Sequence, residues 1–179
     1  SMLTRVGDEQ MGRFVRESLA AAGVDVGHVR TDPDRLTGLV LLGIAGRDRY
    51  PHIFFRERCA DMGLVAADVD EDYIASARML AITGTHLSTP STAEAVMTAA
   101  RIARRHGTSV VLDIDYRPVL WGLGPAGDGE NRYVASRAVT AAMAALLPYC
   151  DLIVGTEEEL RIAGGDADTA RAVEALRAA

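Results

Sequence analysis

Val110–Trp121, VVLDIDYRPVLW, is the stretch on which the fold turns. It opens as a run of β-branched and apolar residues and closes on two aspartates, a tyrosine, an arginine and a proline. That pattern predicts a buried strand whose carboxyl end opens into a polar site, the edge where open α/β sheets bind their ligands. Asp113 and Asp115 are two residues apart, so in an extended strand they face one side, and Arg117 continues the alternation before Pro118 ends it. A structural salt bridge at a strand end would look the same, so the stretch leaves both readings open.

Working outward, the segments on either side alternate at βαβ spacing. Asp70–Ala77 predicts a short helix, Met79–Thr83 a buried strand, and Gly84-Thr85-His86 a tight loop. Ser88–His106 predicts a helix capped by Thr89 or Ser91, with Pro90 in its first turn and Gly107 ending it. Beyond the central stretch, Gly122–Glu130 is a glycine-rich connection that can also cradle an anion, and Asn131–Leu147 predicts a helix limited by Pro148. Cys150–Gly155 predicts a strand, Thr156 a cap over Glu157-Glu158-Glu159, and Asp168 onward a last helix. Such alternation implies a parallel sheet with helices on its faces.

The first third departs from this rhythm. Leu3–Gly7 reads as a strand end or loop, and Val6–Val24 predicts a helix capped by Asp8 and stopped near Gly23. Val24–Val29 has alternating apolar residues, and Thr31–Asp34 is a turn cluster. Thr37–Ile44 and Tyr50–Phe55 predict a β-hairpin around Ala45–Asp48, set apart from the sheet as a flap. The hairpin leads into Phe54–Asp61, FFRERCAD, whose charges suit a solvated strand end as well as a site.

Bulk properties narrow the function. The 179 residues suffice for one domain with a sizeable core, and 49% hydrophobic against 25% charged content is that of a globular chain. A net charge of −6 without a polybasic run argues against a nucleic-acid partner. Every cation is arginine, which excludes a lysine-dependent phosphate loop. No apolar run approaches the roughly 20 residues of a membrane span. Cys59 and Cys150 form no CxxC pair, and an intracellular, cytoplasmic setting with reduced thiols is expected. Ser1-Met2 reads as a cloning remnant, and the chain as a fragment of a longer protein.

Four stretches, in order, resemble the ribokinase-like, or PfkB, family of carbohydrate kinases: VGDEQMG, GVDVGHV, DIDYRPVLW and DLIVGTEEEL. FFRERCAD and DIDYRPVLW look more particularly like the sugar-acid branch of that family. The resemblance implies an α/β, three-layer ribokinase-like sandwich with a parallel-rich sheet and a small β-hairpin lid at 37–56. Residues 3–179 would form the central part of that one domain, which is incomplete here. It also implies ATP as phosphoryl donor, Mg²⁺, a keto-deoxy sugar acid as acceptor and a homo-oligomer paired through the lid. Arg56 and Arg117 match the branch's substrate-binding arginines, and a guanidinium suits a carboxylate because it donates two parallel hydrogen bonds. Glu159 matches a glutamate that organises metal, through water, and phosphate; Thr156 stands where the family has asparagine, and Asp115 falls near the transferred phosphate.

The family's catalytic aspartate sits in a Gly-Ala-Gly-Asp segment. Ala163-Gly164-Gly165-Asp166 imitates it too soon after Glu159, so the segment is expected to be a helix stop, and no catalytic base is assigned in this chain. Without that base the chain alone is expected to be inactive. A sugar-acid binding or self-association module built on the hairpin remains the alternative.

Overall fold

The computed structural model describes the chain except residues 48, 49, 128 and 130–132. Three strands in the second half form the sheet that positions the site: β5 (Met79–Thr83), β6 (Ser109–Asp113) and β7 (Leu152–Val154), all parallel in the order β5-β6-β7. Earlier in the chain β1 (Leu3–Gly7) and β2 (His28–Asp32) form a parallel pair, and β3 (Leu39–Leu42) and β4 (His52–Phe55) an antiparallel one. The helices are α1 (Gln10–Ala21), α2 (Glu71–Ser76), α3 (Pro90–His106), α4 (Arg137–Leu146), α5 (Glu157–Gly164) and α6 (Thr169–Ala178).

β6 is central because its even-numbered residues are all core. Val110, Leu112 and Ile114 are fully buried and Tyr116 is 1% exposed, against Val139, Met143 and Leu146 of α4. Burying each such side chain contributes about 1.5–3 kcal/mol, so register here is strongly specified. The odd face is different. Paired residues Thr83, Asp113 and Val154 share it, and Met79, Leu152 and Val154 are about half exposed. Among the described residues, helices therefore cover one face of this sheet and not both.

Ladder pairing on β6 stops at Asp113, short of the expected Arg117, although Ile114 N–H still donates to Val154 O at 2.9 Å. Asp115 then takes φ +35°, a left-handed conformation that turns the chain away from the sheet. The inside-outside alternation survives that turn: Tyr116 and Pro118 are buried while Asp115 and Arg117 are half-buried.

Several local expectations shift. Glu9, not Asp8, caps α1, accepting from Met11 N–H and Gly12 N–H, because Thr37 N–H also donates to its Oε1 at 3.1 Å and holds it there. β2 begins at His28, later than Val24, and includes Thr31 and Asp32 rather than leaving them to a turn. α4 begins at Arg137, not Asn131, a residue that lies outside the described set. Val134 O, three residues before Arg137, accepts the Tyr116 hydroxyl at 2.6 Å. The tight loop expected at Gly84-Thr85-His86 is a 3₁₀ turn, Gly84–Leu87.

β3 and β4 stand apart as the hairpin, with Val40 opposite Phe54 and Leu41 opposite Ile53. Asp48 of its expected turn lies outside the described residues, as does Glu130 at the end of the glycine-rich connection. That connection packs on the hairpin: Phe54 N–H donates to Gly127 O at 3.1 Å, and a side chain at Gly129 would strike His52 O at 2.6 Å. Leu39, Val40, Leu41, Leu42, Ile53 and Phe55 remain exposed.

Candidate functional site

Asp115, Arg117, Thr156 and Glu159 come together in one network at the carboxyl edge of β6 and β7. Glu159 is its centre, 6% exposed in the first turn of α5. Its Oε1 accepts from Tyr116 N–H at 3.0 Å and from Arg117 Nη1 at 3.4 Å. Its Oε2 accepts from Thr156 N–H at 2.9 Å and from Thr156 Oγ1 at 3.0 Å. Thr156 Oγ1 in turn accepts from Glu159 N–H at 3.3 Å, completing a capping box. The Thr156 hydroxyl thus supplies one side of the cap and the Thr156 backbone N–H the other.

This arrangement bears on the expected metal role. Each Glu159 oxygen already accepts two hydrogen bonds, about the full capacity of a carboxylate oxygen. No group of three metal-ligating side chains occurs among the described residues. Glu159 fits a structural cross-link between the two strand ends, and the metal role expected of it, through water, needs no direct bond to Mg²⁺.

Arg117 is held from three directions. Nη2 lies 2.7 Å from Asp115 Oδ1, and Nη1 donates to Tyr116 O at 2.8 Å as well as to Glu159. Asp115 is fixed from its other oxygen by Thr83 Oγ1 at 3.0 Å, a residue of the neighbouring strand. The Arg117 side chain is 23% exposed, so its head is preorganised by these bonds while the side chain still meets solvent. Asp113 projects from the same face, and its carboxyl is pushed up by burial and by the Asp115 charge, with Arg117 partly opposing.

Arg56 lies at the foot of the hairpin, outside this hydrogen-bonded network. Its Nε donates to Asp61 Oδ2 at 3.0 Å, Nη2 donates to the same oxygen, and Met62 Sδ lies 3.9 Å from Nη2. Arg56 lines a cavity of about 540 Å³ together with Phe54, Met62, Thr89, Val119 and Leu120. Val119 and Leu120 belong to the turn that directly follows Arg117, so the cavity wall opposite the hairpin foot is tied in sequence to the Arg117 network.

His86 was not singled out in the sequence, where it sits in an apparently ordinary turn. Its Nε2 is buried without a partner among the described residues, and Asp61, Arg56 and Asp115 all act electrostatically on its ring. Burial is the largest influence and lowers its pKa. A histidine directly after a parallel strand, at the ligand-binding edge, was the available signal.

Ala163–Asp166 is the expected helix stop. Gly165 takes φ +71° as the C-cap of α5, and Asp166 pairs with Arg171 at 2.8 Å while accepting from Asp168 N–H. Cys59 and Cys150 are free thiols, and among the described residues no helix is long and apolar enough to cross a membrane.

Comparison with known proteins accords with this geometry. The family model described as pfkB family carbohydrate kinase matches residues 1–179. The 5-dehydro-2-deoxygluconokinase of Geobacillus kaustophilus (strain HTA426) is 41% identical over 157 residues, 87% of this chain and 43% of the relative. That of Bacillus subtilis (strain 168) is 31% identical over 159 residues, 88% of this chain and 45% of the relative. The chain thus spans less than half the length of these curated relatives.

Among solved structures, a PfkB protein from Polaromonas sp. JS666 superposes with a TM-score of 0.82 at 27% identity, covering 98% of this chain and 56% of that one. A putative ribokinase II from E. coli, in complex with ATP and Mg²⁺, gives 0.79 at 21% identity, covering 97% and 51%, a likeness of fold. The fold is the α/β ribokinase-like one, and this chain belongs to the pfkB family of carbohydrate kinases.

Proposed function

We propose that the full-length protein is an ATP-dependent kinase that phosphorylates a primary hydroxyl of a keto-deoxy sugar acid, with 5-dehydro-2-deoxygluconate as the leading substrate. The carrying observation is the pair of carboxylate-braced arginines: Arg56 lines the cavity, and Arg117 directly precedes the turn whose Val119 and Leu120 line it. Neutral sugars give such cations nothing to neutralise, whereas a carboxylate accepts two parallel hydrogen bonds from a guanidinium. The 41% identity to an enzyme named 5-dehydro-2-deoxygluconokinase supports the choice of acid.

In the proposed reaction a base withdraws the proton of the primary hydroxyl as its oxygen attacks the γ-phosphorus of ATP, and the bond to the β-phosphate oxygen breaks to release ADP. Arg56 and Arg117 anchor the acid end, and bound Mg²⁺ would supply neutralisation of the phosphates. Within this chain Glu159 ties Tyr116 and Arg117 to the N-terminus of α5 and so fixes the clamp. Asp115 orients Arg117 and carries its own negative charge beside the position proposed for the transferred phosphate. The base itself belongs to the part of the enzyme outside these 179 residues, and the chain alone is inactive in this reading. A coupled assay for ADP release compares the two: turnover by the full-length protein and none by residues 1–179 is expected, and turnover by the shorter chain would overturn the assignment.

The exposed apolar hairpin supports a second element, self-association through the lid in a cytoplasmic homo-oligomer. A two-stranded ribbon with Leu41, Leu42, Ile53 and Phe55 in solvent is unstable by itself and gains from being covered. Leu41→Asp with Ile53→Asp should lower the sedimentation coefficient of the full-length protein to that of a monomer; an unchanged profile would remove the lid from the interface. The same hairpin also suits a purely sugar-acid-binding or self-associating module, which would bind the acid without releasing ADP.

A further inference from the structure

The cavity that Arg56 lines offers few partners for the hydroxyls of a sugar. Among the described residues Thr89 supplies the one hydroxyl of its lining, and no serine, asparagine, glutamine or aspartate joins it. Glu57 and Arg58 line it too but are exposed, and Cys59 Sγ is turned to Phe55 O at 3.2 Å. The rest of the lining is apolar, Met62, Val119 and Leu120 among it. Thr89 stands at the N-cap of α3 without capping it. Its hydroxyl lies instead 2.7 Å from Thr92 Oγ1, whose own proton has Thr89 O as acceptor at 3.2 Å. Thr89 then donates to Thr92 and keeps lone pairs only, which suit one hydroxyl of a ligand.

The apolar part of the lining begins beside the cation. Arg56 gives Nε and Nη2 to Asp61, and its Nη1 has no partner among the described residues. Met62 Sδ lies 3.9 Å from Nη2 of the same guanidinium, and the Met62 backbone is held by its N–H, which donates to Cys59 O at 3.1 Å. With a carboxylate seated on Arg56, the carbon next to that carboxylate is the part of the acid that meets the thioether. Val119 and Leu120 are fixed as well: Leu120 N–H donates to Arg117 O at 3.0 Å, and Gly122 closes their turn in left-handed conformation. A methylene on such a surface gains from burial, whereas a hydroxyl there leaves water without finding a partner.

We infer that Met62, with Val119 and Leu120 beyond it, makes the cavity selective for an acid whose carbon next to the carboxylate is a methylene; this rests on the sugar-acid kinase reading above. Arg56 recognises an acid of any kind. The thioether beside it separates a 2-deoxy acid from its 2-hydroxy counterpart, because only the second has a polar group to strand there.

The test uses the full-length protein, wild type, Met62→Gln and Met62→Leu, with 5-dehydro-2-deoxygluconate and 5-dehydrogluconate, which differ only in the hydroxyl on that carbon. The wild type should prefer the deoxy acid in kcat/KM by up to about a hundredfold, the discrimination an apolar pocket reaches against one added hydroxyl. Met62→Gln has similar length but carries an amide, and it should cut the preference about tenfold by raising kcat/KM on the hydroxylated acid, the effect of one hydrogen bond gained. KM for ATP should stay unchanged. Met62→Leu should keep the wild-type preference. Partial unfolding does not imitate a gain on one substrate, and where Met62→Gln does not fold, Leu120→Asn is read in its place against the same expectation. No preference in the wild type, an unchanged preference in the polar variant, or equal losses on both acids overturns the inference. A wild-type enzyme that phosphorylates neither acid refutes instead the kinase reading on which it rests.

Discussion

Replacing Glu159 by alanine removes four accepted hydrogen bonds at once, and the structure says what each loss costs. Tyr116 is 1% exposed, so its N–H is left buried and unpaired, at about 1–3 kcal/mol. The carboxylate half of the capping box goes as well, at about 1 kcal/mol, while the Thr156 hydroxyl still accepts from the backbone N–H of residue 159. Arg117 keeps Asp115 and Tyr116 O, so its loss is small beside these two. The sum is about 2–4 kcal/mol, measured as the change in unfolding free energy from urea titrations of the full-length protein with and without Glu159→Ala. Glu159→Gln is the sharper control. Its amide offers one oxygen and one NH₂ where donors approach from both sides, so a donor must face a donor, and less than half of the stability should return. Wild-type stability in Glu159→Gln, or a loss under 1 kcal/mol in Glu159→Ala, would show that the carboxylate does not join β6 to α5 as described.

Other outcomes follow from neighbouring contacts. Thr83→Val preserves shape but removes the donor to Asp115, and a loss of about 1 kcal/mol of clamp organisation should raise KM for the acid about fivefold with KM for ATP unchanged. Asp166, paired with Arg171, has its carboxyl pulled down to about 2 from an ordinary 3.8. A depressed acid contributes stability that is present above pH 3.8 and lost as pH falls toward 2; carboxyl NMR should find that midpoint, and Arg171→Ala should return it to the ordinary range. Asp113 has the opposite sign: its raised pKa makes ionisation unfavourable in the fold, so stability falls as pH rises through its titration. Asp113→Asn should stabilise the protein at neutral pH but not below the carboxylate range, which paired thermal melts at the two pH values will read.

Much of the sheet half was legible because its signals are local. Met79–Thr83 is a strand with the boundaries its sequence suggests, and α3 starts at Pro90 and stops at Gly107 in left-handed conformation. Motifs pointed to Arg56, Arg117 and Glu159, of which the structure joins Arg117 to Glu159 and pairs Arg56 with Asp61 instead. The misjudged places depend on partners distant in sequence. Thr37 makes Glu9 rather than Asp8 the cap, across 28 residues, and the Tyr116 hydroxyl holds Val134 out of α4 from 18 residues away. Asp151 similarly leaves the expected strand to bind Val110 N–H through its side chain, so β7 begins at Leu152. His86 was invisible for the same reason. Nothing in Gly84–Leu87 announces that Arg56, Asp61 and Asp115, distant in sequence, act electrostatically on its ring.

The account stands or falls on Arg117 as a carboxylate clamp. The direct measurement is kcat/KM of the full-length enzyme, wild type and Arg117→Ala, on 5-dehydro-2-deoxygluconate and on a neutral keto sugar. A charge-assisted bond of about 1.5–3 kcal/mol predicts a loss of roughly ten- to hundredfold on the acid, with KM for ATP unchanged and little loss on the neutral sugar. Equal losses on both substrates would make Arg117 a structural brace and would contradict the assignment of a sugar acid.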